Sequence, residues 1–150
     1  MPPRASSRLT AFVLGPAGGA PATEVLLALS AEGEVDVVEG GADWTAHEAE
    51  REHFFANGQG GFRVVCPACE AQATSRFWKA LEAWRQGGAR TFTCTCGVSS
   101  DLAELQFFPA AGFAARWLRG AKAASLDLTP AAQARLESLW PGFRVVGSRG

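Results

Sequence analysis

Nowhere in these 150 residues do about 18 apolar residues run without a charge, so no membrane-spanning helix is predicted. The start, Met1 to Arg8, contains Pro2, Pro3, Arg4, Ser6 and Ser7 but no apolar stretch of the kind that opens a secreted chain. It reads as a flexible terminus ahead of a cytoplasmic protein. Ile and Tyr are missing, Asn occurs once and Lys only at Lys79 and Lys122. That usage fits a GC-rich bacterial genome and excludes no function. Internal repeats and long low-complexity linkers are missing too, which excludes solenoids and arrays.

Three catalytic patterns are also absent. In H-E-A-E-R-E-H, His47 and His53 stand six residues apart with Arg51 at the position where a zinc protease needs its second histidine, so one helical face cannot carry both. The glycine-rich stretch 15–20 lacks the lysine that would pair a phosphate. Ser99, Ser100 and Asp101 lie together without the G-x-S-x-G elbow of a hydrolase. No small-molecule substrate is inferred.

What is present is ordinary globular composition, 47% apolar and 19% charged, enough at this length for a core of its own. Turn residues divide the chain into short elements. Leu9 to Leu14 reads as a strand, and Thr23 to Ala31 as a helix opened by Pro21. The β-branched run Glu34 to Glu39 reads as a strand and the polar stretch Trp44 to Phe55 as a helix. Phe62 to Val65 is a strand. Phe77, Leu81 and Trp84 at i, i+4 and i+7 predict a helix over Thr74 to Gln86. Strands are predicted at Arg90 to Cys96 and Ala103 to Phe108. A helix opened by Pro109 carries Phe113, Trp117 and Leu118, another follows Thr129-Pro130, and Phe143 to Val146 is a closing strand. This predicts an α+β fold, with a mixed or mostly antiparallel sheet, helices packed on it and the C-terminal strand pairing centrally. Residues 9–150 are taken as a single domain after a flexible 1–8.

All four cysteines fall in two tight pairs, Cys66-Pro67-Ala68-Cys69 and Cys94-Thr95-Cys96-Gly97. Each pair can offer two thiolates from one backbone turn, so only the closure between pairs is entropically expensive. In an intracellular chain such pairing favours metal over disulfides. A redox or catalytic C-x-x-C leaves the second pair without a role, and four cysteines close the shell that a catalytic zinc keeps open. Cys94 and Cys96 would share a face if they ended a strand. The two pairs resemble the knuckles of a zinc ribbon, usually C-P-x-C-G and C-x-x-C-G. Glu70 replaces the first Gly, and Thr95 is a single spacer. The resemblance covers the zinc-binding segments 62–70 and 90–98 alone and implies structural zinc on Cys66, Cys69, Cys94 and Cys96. The donor set also admits iron.

Charge is uneven along the chain. Residues 20–56 hold nine acids against Arg51, whereas residues 62–150 hold eleven Arg and Lys against six acids. Arg76, Lys79, Arg85 and Arg90 lie between the knuckles as candidate contacts for nucleic acid or another partner. A pI near 6.1 speaks against a dedicated nucleic-acid binder. The reading is a non-catalytic, zinc-stabilised protein-binding or adaptor module. A nucleic-acid-binding zinc-ribbon protein is the alternative and a thiol-dependent enzyme the further one.

Overall fold

A computed structural model describes residues 9–30, 36–56, 62–108 and 110–149. The elements, in order, are β1 (Leu9–Leu14), α1 (Ala22–Ser30), β2 (Asp43–Phe55), β3 (Arg63–Val65), α2 (Thr74–Arg85), β4 (Thr91–Thr93), β5 (Ser99–Asp101), β6 (Gln106–Phe108), β7 (Gly112–Ala123), α3 (Pro130–Leu139) and β8 (Arg144–Arg149). The fold is α+β with mostly antiparallel, open sheets. The chain forms two compact units: Met1–Gln59 with Ala110–Gly150, and Gly60–Pro109. The second is inserted between β2 and β7, whose adjoining ends pair at Phe55 and Gly112.

The first unit is a βαββαβ arrangement with strand order β2-β7-β1-β8, every neighbouring pair antiparallel. Register sorts its side chains into two faces. Ala46, Leu118, Val13 and Val145 form one row across the four strands, and Trp44, Gly120, Ala11 and Gly147 the next. Against the first of these rows pack Val25 and Leu29 of α1, Ala132 and Leu136 of α3, and Trp140. Both helices therefore cover one face. Thr129 caps α3 by accepting the Ala132 N–H at 3.3 Å, and Pro130 suits its first turn.

Trp140 explains the glycine-rich loop. Its ring is fully buried, and its Nε1–H donates to the Ala20 carbonyl at 2.8 Å. A Cβ at Gly15 would stand 2.8 Å from the indole, and one at Gly19 2.9 Å. The loop admits a tryptophan. Arg116 holds the same loop by donating to the Gly19 carbonyl.

Several sequence expectations are corrected. The stretch 44–55 is a strand: β2 is an edge strand, where exposed Glu and Arg side chains are tolerated, and a bulge between Glu48 and His53 interrupts its apolar alternation. Phe113, Trp117 and Leu118 lie on β7, with Leu118 facing the helices and Trp117 the other side, so spacing that resembled one helical face serves two sheet faces. Within the predicted strand 34–39, the described residues 36–39 form only an isolated bridge, Val38 to Leu128. The C-terminal strand β8 is an edge strand; β1 and β7 are central, because each βαβ crossover passes over one strand before returning to the sheet. Residues 102–104 form a single 3-10 turn capped by Asp101 before β6.

Candidate metal centre

The inserted unit is built from α2 and two short antiparallel strand pairs, β3 with β6 and β4 with β5. Phe77 and Leu81 on α2 are buried, as are Val64, Phe92, Leu102, Leu105 and Phe107. Phe77 meets Phe107 edge-on at 5.3 Å. The Val64 N–H donates to Thr74 Oγ1 at 3.0 Å, tying β3 to the start of α2. These contacts fix the strand ends from which both cysteine turns depart.

The first turn follows β3. The Cys66 N–H donates to the Ala71 carbonyl at 3.0 Å, and the Glu70 N–H to the Cys66 carbonyl at 2.8 Å. Glu70 sits at φ 62, the left-handed region that favours glycine. Glu70 therefore holds a backbone conformation that a glycine would adopt without strain. The second turn follows β4: the Cys94 N–H donates to the Val98 carbonyl at 3.0 Å, the Gly97 N–H to the Cys94 carbonyl at 2.9 Å, and Gly97 has φ 93. Cys94 and Cys96 thus lie in a tight turn beyond a strand that ends at Thr93, and not in the strand predicted over Arg90 to Cys96. One spacer residue fewer still produces a turn of the same kind.

The four Sγ atoms lie within 4.8 Å of one another and can hold a metal ion. Cys69 and Cys94 are 3.5 Å apart across the two turns, and Cys66 and Cys96 are 4.0 Å apart. A tetrahedron with metal–sulfur bonds of about 2.3 Å has edges of about 3.8 Å, so these spacings suit a tetrathiolate site. They are far beyond a disulfide bond of about 2.05 Å. Cys66 and Cys94 are buried, Cys69 and Cys96 exposed.

Electrostatics within the cluster separates the thiols. For Cys94, the Cys96 backbone N–H favours the thiolate; burial opposes it, but hydrogen bonds from Cys69, Cys66 and Cys96 add to the lowering, and the pKa falls to about 6. For Cys69, the Ala71 backbone N–H lowers the pKa, but hydrogen bonding with Cys94, burial and the Cys66 and Cys96 thiols outweigh it and push it up to about 12. Four sulfurs this close share a limited number of charges until a cation compensates them.

The basic residues between the turns are distributed around α2. At 100° per residue, exposed Arg76 and Lys79 lie on the side opposite the Phe77–Leu81 stripe. Arg85 shares a flank with Trp78, seven residues earlier. Arg90 lies beyond the helix, pairs with Asp101 at 2.9 Å and stacks over Trp84 at 5.6 Å. Sequence reasoning did not single out Trp78 and Phe108, which are 43% and 46% exposed. Trp78 packs beside Phe62 at 5.6 Å, and the Arg63 guanidinium lies 5.5 Å over Phe108. The helical spacing sets Trp78 alongside the Phe77, Leu81 and Trp84 stripe, and its exposure is what distinguishes it from the core.

No protein-family model matches the chain, nor does any curated protein or solved structure. Among the described residues, no helix is long and apolar enough to cross a membrane.

Proposed function

We propose that the inserted unit is a zinc-stabilised, non-catalytic module of a cytoplasmic bacterial protein and that it docks another protein. The observation that carries this reading is the pairing of a four-thiol site with exposed Trp78 and Phe108 on the same small unit. All four donors of a tetrahedral ion would come from Cys66, Cys69, Cys94 and Cys96, so no coordination position is left for substrate. Such an ion, proposed here as zinc, would supply rigidity.

Trp and Arg are the side chains that dominate protein interfaces when a few contacts carry the energy. Here Trp78 shares a helix flank with Arg85, and Phe108 lies beneath Arg63. Each of these sites, an exposed aromatic beside an arginine, suits an apolar partner patch rimmed by acids. The test is affinity capture from the native host with three baits: the zinc-loaded chain, the same chain after chelation, and a Trp78→Ala, Phe108→Ala variant shown by circular dichroism to be folded. A protein retained by the first and lost from the other two is the expected outcome. Equal capture by all three baits, or none by the first, would refute the reading.

A further inference from the structure

The sheet face turned away from α1 and α3 carries side chains that the helix-covered face lacks. Register places His47, Trp117, Leu14 and Arg144 in one row across the four strands, and Thr45, Arg119, Phe12 and Val146 in the next. The Phe55 ring lies 4.9 Å from Trp117 and 5.2 Å from Phe12, joining the three aromatics. His47 stacks on Trp117 at 5.6 Å and 10°, and His53 approaches the same indole edgewise at 5.5 Å.

Leu14, Ala114 and Val146 are buried in this layer, whereas Phe12, Phe55 and Trp117 are half-buried and Arg119 is exposed. A face that met only water would be polar at these positions, and one closed over by core would not interleave arginines with aromatics. Arg119 makes no ion pair or hydrogen bond among the described residues. Arg144 uses one Nη to hold the Ala111 carbonyl at 2.9 Å and retains further donors.

The sheet also divides the charges. Glu48 lies toward the helices, accepts the Ala22 N–H at 2.7 Å and pairs with Arg116 at 3.6 Å. With Glu50 and Glu52 it lines a cleft of about 330 Å³ beside Pro16, Ala17 and Gly18. On the aromatic face the rows hold arginines and imidazoles, with Asp43 as the acid at the start of β2.

We propose that this face binds single-stranded nucleic acid, with bases stacking on Trp117, Phe55 and Phe12 and phosphates passing Arg119 and Arg144. Aromatic platforms bind bases of any sequence because every base has a π-face, and a duplex hides those faces within its own stack. With only two arginines in the rows, stacking supplies more of the affinity than charge does, which reconciles binding with a pI near 6.1. This inference does not depend on the zinc centre or its partner.

The test is fluorescence anisotropy of the full zinc-loaded chain with labelled oligouridine of about 12 nucleotides and with a duplex of equal length. Saturable binding to the single strand, at least tenfold tighter than to the duplex, is expected. The salt slope should be shallow, about −1.4 for two phosphates on a single strand. Phe12→Ala should weaken binding roughly 5- to 150-fold, the range that loss of one stacking platform gives. Arg119→Glu, at an exposed position that leaves the fold intact, should weaken binding and remove about 0.7 from the slope. Photo-crosslinks from a thiouridine-substituted strand should fall in β1 and β7.

The proposal is overturned by no binding up to about 100 µM, where even non-specific association registers. Equal affinity for the duplex would also overturn it. So would affinity unchanged by both Phe12→Ala and Arg119→Glu, or crosslinks confined to α2.

Discussion

Removing the metal should melt the inserted unit and leave the βαββαβ unit standing. Structural zinc is worth about 10 to 16 kcal/mol in finger peptides near neutral pH. Folded domains retain roughly 0.05 to 0.15 kcal/mol per residue, so the unit Gly60–Pro109 would have a net stability of about 2.5 to 7.5 kcal/mol with its ion bound. Loss of the metal exceeds that whole margin. All four candidate ligands lie in this unit, whereas α1, α3 and Trp140 form a core that includes none of them. In circular dichroism, a strong chelator should melt the 12 residues of α2 and spare the 9 of α1 and 10 of α3, a fall of roughly two fifths in helical signal. Hydrogen exchange should show α2 and β4 amides losing protection while β1 and β7 keep theirs. Full protection of α2 in verified metal-free protein would show that the unit's own core suffices. Simultaneous loss of β1 and β7 would show that the two units fold as one.

Glu70→Gly should stabilise the metal-bound unit by about 1 kcal/mol, because the position already has φ 62 and a left-handed L-residue costs about that much; denaturant titration followed by Trp84 fluorescence measures it. Trp140→Ala should destabilise the βαββαβ unit by about 3 to 5 kcal/mol through loss of a fully buried ring, seen as a lower midpoint in the chelator-resistant transition. Replacing residues 57–110 with a short turn rich in Asn and Gly should leave a cooperatively folding unit, since Phe55 and Gly112 already pair; a molten product in near-UV circular dichroism would contradict this.

Features with local causes were legible in the sequence. Pairing of the cysteines marked the candidate metal site because two donors from one turn need nothing distant to bring them together. The stripe Phe77, Leu81, Trp84 marked α2, and Thr129-Pro130 marked the start of α3, since caps and helical periodicity act within a few residues. Glu70 and Thr95 were visible as departures from the ribbon pattern. That Glu70 takes the left-handed conformation that Gly97 also takes, and that both segments form tight turns, required the φ angles and hydrogen bonds.

Features decided by non-local pairing were not legible. Residues 44–55 are polar enough to resemble a solvated helix, and only pairing with β7 makes them a bulged edge strand. Trp117 and Leu118 are neighbours in sequence but face opposite sides of a sheet, a separation that no count of apolar residues reveals. By itself the sequence determined a four-thiol site, the three helices from their own stripe, cap or opening proline, and an α+β class. Tertiary structure decided that the site lies in an insertion, that β8 is an edge, and that Phe12, Trp117 and Arg119 meet on one open face. Cysteine turns and helix caps are set by neighbours in the chain, whereas a sheet face is assembled from strands whose pairing is won only by the energy of the whole layer.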